Sequence, residues 1–266
     1  LGHNVNGNGG SSDPSGSGSA QGYEVIADNA NSTVYKSGGY AAVALTSTGR
    51  AVAVWYDSVN SRLVYSYRDV SSYTEPAADA TDRKTAEWQA NAVVVDTGAP
   101  LYVDVAIDDA DGLHIGYYSS GEGGVKYAYL PPDKVKGTAK PLATDFKIAK
   151  VDTYMNPGTY LKIGVRKENN KQVPYISYYH NGFYGSKNAA RIAWLKDGIA
   201  SANDVKNGVV NNKFTGDWVV MTVPASEGIQ QYTICQGVPL TGTYANKVIA
   251  AYFTNKNYEM AVLSKN

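Results

Sequence analysis

One pattern recurs four times along the 266 residues, and it limits the folds open to this chain more than any other feature. A strand-like run ending in two adjacent aromatics is followed by a turn and a second strand-like run. The first copy is Ala51-Val52-Ala53-Val54-Trp55-Tyr56-Asp57, then Leu63-Val64-Tyr65-Ser66-Tyr67. The second is Leu113-His114-Ile115-Gly116-Tyr117-Tyr118, then Val125-Lys126-Tyr127-Ala128-Tyr129. The third is Pro174-Tyr175-Ile176-Ser177-Tyr178-Tyr179-His180, then Arg191-Ile192-Ala193-Trp194-Leu195; the fourth is Val248-Ile249-Ala250-Ala251-Tyr252-Phe253, then Glu259-Met260-Ala261-Val262-Leu263. The aromatic pairs are spaced 62, 61 and 74 residues apart.

Each hairpin is preceded by another strand-like run, such as Val103-Asp104-Val105-Ala106-Ile107 or Leu161-Lys162-Ile163-Gly164-Val165. Turn residues such as Thr48-Gly49 and Asp111-Gly112 join the runs as hairpins. A fourth run follows in three repeats: Val93-Val94-Val95-Asp96, Ile148-Ala149-Lys150-Val151-Asp152 and Trp218-Val219-Val220-Met221-Thr222. Four antiparallel strands in about 60 residues make one propeller blade. The last repeat stops three residues after Leu263, while Tyr23-Glu24-Val25-Ile26-Ala27-Asp28 at the other end carries the same apolar-Asp pattern. The expected fold is therefore all-β: a four-bladed β-propeller of four-stranded antiparallel sheets, with the N-terminal strand completing the last blade and protecting its edge.

Composition agrees with strands. The chain has 22 Tyr and 27 Gly, only 18% charged residues, and little helical bias. With 24 basic and 24 acidic residues and no basic stripe, it lacks the positive footprint of a nucleic-acid binder. The single Cys235 excludes an internal disulfide framework and a cysteine zinc cage. No apolar run reaches the ~20 residues of a membrane helix. Residues 1–21, LGHNVNGNGGSSDPSGSGSAQ, read as a flexible tail or linker, with 22–266 as one domain. The start at Leu1, without Met, suggests a processed or truncated chain, and the tether suits a bacterial lipoprotein or periplasmic protein at the cell surface or outside it. The tail is also a candidate connector for a homo-oligomer or an extracellular assembly.

The run Gly112-Leu113-His114-Ile115-Gly116-Tyr117-Tyr118 with Val125-Lys126-Tyr127-Ala128 resembles repeats of secreted bacterial β-propellers grouped with sialidase-like proteins. The resemblance spans 22–266 and implies a propeller. The sialidase Asp-box, Ser-x-Asp-x-Gly-x-Thr-Trp, occurs in no repeat, and no arginine triad shares a register, so sialidase activity does not come with it.

Loops on one propeller face are the expected binding surface. The candidates there are Asp57, Tyr154, Tyr160, His180, Phe183, Tyr184, Gln230 and Tyr232. The aromatics suit stacking on a sugar or gripping a polypeptide. The stretch from His180 to Asn188, with two aromatics and two glycines, breaks the repeat; it reads either as a ligand loop or as a plug for the propeller centre. Asp28, Asp96 and Asp152 recur at one position and read as turn caps, with a shared cation as the weaker alternative. Asp108-Asp109-Ala110-Asp111-Gly112 lacks the closing Glu of a calcium loop and reads as a hairpin turn; His114 reads as a packed core histidine.

No GxSxG, P-loop, HxxxH or paired Glu-x-Glu motif occurs, and no cofactor is implied. The leading expectation is a non-catalytic recognition module for a glycan or protein. The alternatives are a structural subunit of an extracellular assembly, and a carbohydrate-active hydrolase or lyase using Asp57, Asp104 or Glu227.

Overall fold

A computed structural model describes residues 26–27, 35–70, 85–154, 157–182, 187–210, 213–214, 216–223, 236–239, 247–253 and 257–264. The chain is all-β, and four antiparallel sheets form the blades of a propeller.

The first blade is β1 (Ala41–Leu45), β2 (Arg50–Asp57), β3 (Arg62–Asp69) and β4 (Val93–Thr97), in that spatial order. A six-residue helix, α1 (Thr85–Ala90), precedes β4. The second blade is β5 (Pro100–Ile107), β6 (Leu113–Ser119), β7 (Gly124–Leu130) and β8 (Lys147–Asp152), with the short helix α2 (Pro132–Val135) before β8. The third begins with β9 (Pro157–Glu168), β10 (Lys171–His180) and β11 (Ala189–Leu195). A small hairpin, β12 (Val209–Val210) and β13 (Lys213–Phe214), then leaves it to extend the second blade beside β8. The third blade is completed by β14 (Trp218–Thr222). The fourth contains β15 (Gln236–Pro239), β16 (Lys247–Phe253) and β17 (Tyr258–Ser264).

The inner strands pack in sequence, β1 on β5, β5 on β9 and β9 on β15. Side chains alternate between the two faces of each sheet, and the burial follows that alternation. Tyr65 and Tyr67 of β3 face the second blade, in one core with Val103, Leu113, Ile115 and Tyr117. Tyr127 and Tyr129 of β7 face the third blade, with Leu161, Ile176 and Tyr178. Ile192 and Trp194 of β11 face the fourth, with Val248 and Leu263. The cores therefore lie between blades.

The first aromatic of each of the first three repeats looks backwards and is closely packed: Trp55, Tyr117 and Tyr178 are buried. The side chains of Tyr252 and Phe253 lie outside the described residues. So does the tail 1–21, and so does most of the expected closing strand Tyr23–Asp28. Its described part, Ile26 and Ala27, packs on the first blade against Trp55, Trp88 and Ala53, and the Gln89 side-chain amide donates to the Ile26 carbonyl at 3.0 Å.

His114 is fully buried on β6, between the Tyr127 hydroxyl at 2.7 Å and an Asp108 oxygen at 3.0 Å. Burial lowers its proton affinity in spite of Asp108. Asp108 also accepts from the backbone N–H groups of Ala110 and Gly112, which makes the segment a side-chain-closed hairpin turn.

Candidate functional site

At the start of three successive inner strands stand Tyr40, Tyr102 and Tyr160. Ring centroids are 4.9 Å apart between Tyr40 and Tyr102, and 5.2 Å between Tyr102 and Tyr160. Tyr118 and Tyr179 pack behind them at 6.5 Å from Tyr102 and Tyr160 respectively. The row exists because two inner strands bulge. Pairing jumps from Leu101↔Tyr118 to Asp104↔Gly116 in the second blade, and from Thr159↔Tyr179 to Lys162↔Ser177 in the third. The bulged tyrosines take left-handed backbone, φ 51° at Tyr102 and 53° at Tyr160. Such a conformation costs about 1 kcal/mol or more per non-glycine residue and is held only by surrounding packing. Burial, with the Tyr40 hydroxyl next in effect, pushes the Tyr102 phenol above its ordinary value.

Below the row, the strand register brings Ala42, Asp104, Lys162 and Gln236 to one level, opposite Val54, Gly116, Ser177 and Ala251. Asp104 is the carboxylate of this level. One oxygen accepts from the Ile163 backbone N–H at 2.9 Å, and the other is 3.6 Å from the Lys162 ammonium. Burial raises its proton affinity, and the Ile163 and Lys162 contacts only partly oppose that. Asp104 was one of three carboxylates named from sequence for an enzyme reading; Glu227 lies outside the described residues.

Asp57, the third, is not free for a ligand. It is fully buried at the end of β2, and its carboxylate is taken up by the Arg62 guanidinium at 2.7 Å and by the Asn60 backbone and side chain. Burial works against its charge, but Arg62 and Asn60 prevail and keep it below the usual carboxylate range. The sequence could not reveal this, because the chelating turn forms only when the hairpin does.

Asp96 and Asp152 join neighbouring blades. Asp96, at the end of the first blade, accepts from the Tyr117 hydroxyl at 2.6 Å and pairs with Lys126 at 2.5 Å, both on the second blade. Asp152, at the end of the second, accepts from the Tyr178 hydroxyl at 2.7 Å and pairs with Arg191 at 3.0 Å, both on the third. The recurrence noted in the sequence thus corresponds to a bridge between blades at two positions; Asp28 lies outside the described residues. Among the described residues, no three His, Cys, Asp or Glu converge as a metal cage would need.

Tyr154 and His180 lie beside this second bridge. The Tyr154 N–H donates to Asp152 at 2.9 Å, and the Arg191 guanidinium sits 6.0 Å from its ring centroid. His180 ends β10 at the position that Asp57 holds on β2 and Ser119 on β6. It is buried, with both ring nitrogens unpartnered. Burial, helped by the Arg191 charge, lowers its pKa to about 4, so the ring is neutral. Phe183, Tyr184, Gln230 and Tyr232 lie outside the described residues. Of the sequence candidates, Tyr160 belongs to the tyrosine row and Tyr154 and His180 to the neighbouring bridge. Tyr40 and Tyr102 were missed, since each reads in sequence as an ordinary strand residue.

No protein-family model and no curated protein sequence matches the chain. Among solved structures it is similar to an exo-β-1,3-galactanase from Clostridium thermocellum, at 12% identity and TM-score 0.39, over 84% of this chain and 45% of that one. It is similar also to an α-L-arabinofuranosidase from Lactobacillus brevis, at 9% identity and TM-score 0.38, over 85% of this chain and 67% of the other. A leech intramolecular trans-sialidase gives 9% identity and TM-score 0.39, over 84% and 31%. The chain thus spans under half of the galactanase and about a third of the trans-sialidase. All three are named as carbohydrate-active enzymes, against the expectation of a recognition module without catalysis, and that expectation is withdrawn.

Proposed function

We propose that the chain is a carbohydrate-active hydrolase that works at the tyrosine row. The observation that supports this reading is Asp104. It is a carboxyl on an inner strand, with raised proton affinity, one level below three adjacent tyrosine rings. A carboxyl with raised proton affinity is suited to act as a general acid that protonates a departing glycosidic oxygen. In the reaction, Asp104 gives its proton to that oxygen as the bond to the anomeric carbon breaks, and water supplies the hydroxyl at that carbon. Tyr102 and Tyr160 offer flat apolar faces and hydroxyls to a sugar ring. Glycoside hydrolysis ordinarily uses a second carboxylate, for which Glu227 is the candidate from the sequence.

The test is turnover of a panel of aryl glycosides and oligosaccharides by the full chain. Hydrolysis by the wild type, lost by a factor of at least about 10² in Asp104→Asn and weakened mainly through KM in Tyr102→Ala, is the expected result. Failure of the whole panel, or full activity in Asp104→Asn, overturns the reading.

A further inference from the structure

The first and fourth blades each present an apolar face at a strand position that is covered on their counterparts among the described residues. On β17, Met260 and Val262 occupy the positions of Tyr127 and Tyr129 on β7 and of Ile192 and Trp194 on β11, as the pairings of these strands with β16, β6 and β10 show. On β7 and β11 those side chains are at most 5% exposed, packed on the following blade; Met260 and Val262 are 66% and 52% exposed. On β1, Val43 and Leu45 occupy the positions of Val105 and Ile107 on β5. Val105 and Ile107 pack into the core shared with the preceding blade, whereas Val43 and Leu45 are 68% and 60% exposed. Beside Val43 lies an apolar groove of about 290 Å³, lined by Ile26, Gly38, Ala41, Ala53 and Trp55.

The two faces are complementary halves of one contact. Among the described residues, a forward-looking face of the fourth-blade type packs on the backward-looking face of the next blade at three interfaces inside the chain. Within one copy both halves are open to solvent. We infer that a second copy of this chain supplies each missing half: the Met260–Val262 face of one copy seats on the Val43–Leu45 face and groove of the other, and reciprocally. The contact is head-to-tail, and two copies make it twice and close with two-fold symmetry. It continues, between chains, the packing that already joins blade to blade. Isolated apolar residues on a surface are common, but two patches that match by repeat position are a marked interaction surface.

The experiment is light scattering on the full chain after gel filtration at micromolar concentration. The expected mass is twice the 28.4 kDa of the chain. Val43→Asp and Val262→Asp, each alone, give monomers. Mixing the two gives a dimer again, because the intact fourth-blade face of Val43→Asp can seat on the intact first-blade face of Val262→Asp. Val43→Thr and Val262→Thr, which suit a strand, repeat the test if an aspartate variant fails to fold. A monomeric wild type overturns the proposal, and so does hydrogen exchange showing both faces protected in a monomer, since the chain would then have closed on itself. Dimers unaffected by all four variants, or no recovery on mixing, place the contact elsewhere and overturn it as well.

Discussion

The junction between the second and third blades and the outer face of the fourth are built from the same strand positions. At the junction, Tyr127 and Tyr129 are closed off from water, Trp218 packs edge-on against Tyr127 with ring centroids 5.3 Å apart, and Asp152 ties Tyr178 to Arg191. On the fourth blade those positions hold Met260 and Val262, open to solvent. The hairpins that carry these positions, β6-β7 and β16-β17, pair regularly in both places, so strand formation alone does not bury a face; a neighbouring blade does. The difference between them is the partner.

The largest effect should come from cutting into the filled junction. Tyr127→Ala removes a fully buried ring and should cost about 3–5 kcal/mol in urea unfolding, whereas Met260→Ala in the monomer should cost less than about 0.5 kcal/mol. Equal losses would break the comparison. Protonation probes the same region from another side. His180 has a pKa of about 4 in the fold against an ordinary 6.5, so the unfolded chain takes up the proton first as pH falls. The stability tied to its neutral ring is whole above pH 6.5 and drains between 6.5 and 4, by about 3 kcal/mol. His180→Phe should flatten that slope in a pH series of melting curves; an unchanged slope would assign the acid sensitivity to other groups.

The two bridges sharpen the comparison within the filled junctions. Asp152→Asn removes a carboxylate that is 1% exposed and serves both Arg191 and the Tyr178 hydroxyl, and should cost about 2–3 kcal/mol. Asp96→Asn should cost about 1 kcal/mol, because Lys126 keeps Glu122 at 2.7 Å and the site is wetter. Chemical denaturation of both variants decides the order, and a larger loss for Asp96→Asn would reverse the reading of which bridge is buried.

The four-fold recurrence of paired aromatics was enough to determine an all-β propeller of four blades, and alternation along each run was enough to determine which side chains share a face, though not which neighbour that face meets. Those properties are local: a period of two and a turn every eight to twelve residues are written in adjacent letters. The recurrence of Asp96 and Asp152 was legible too, but their partners were not, since Tyr117 and Tyr178 lie 21 and 26 residues further on. The tyrosine row was hidden for the same reason. Tyr40, Tyr102 and Tyr160 are about 60 residues apart in the chain, and they meet only because inner strands of successive blades pack side by side and two of them bulge. Desolvation likewise has no signature in sequence. Asp57 and Asp104 are the same letter in similar strands, yet one is held charged by Arg62 and Asn60 while burial holds the other toward its proton. Only the packed blades decide that, because the electrostatic environment of a carboxylate is set by what the fold brings within a few ångströms of it.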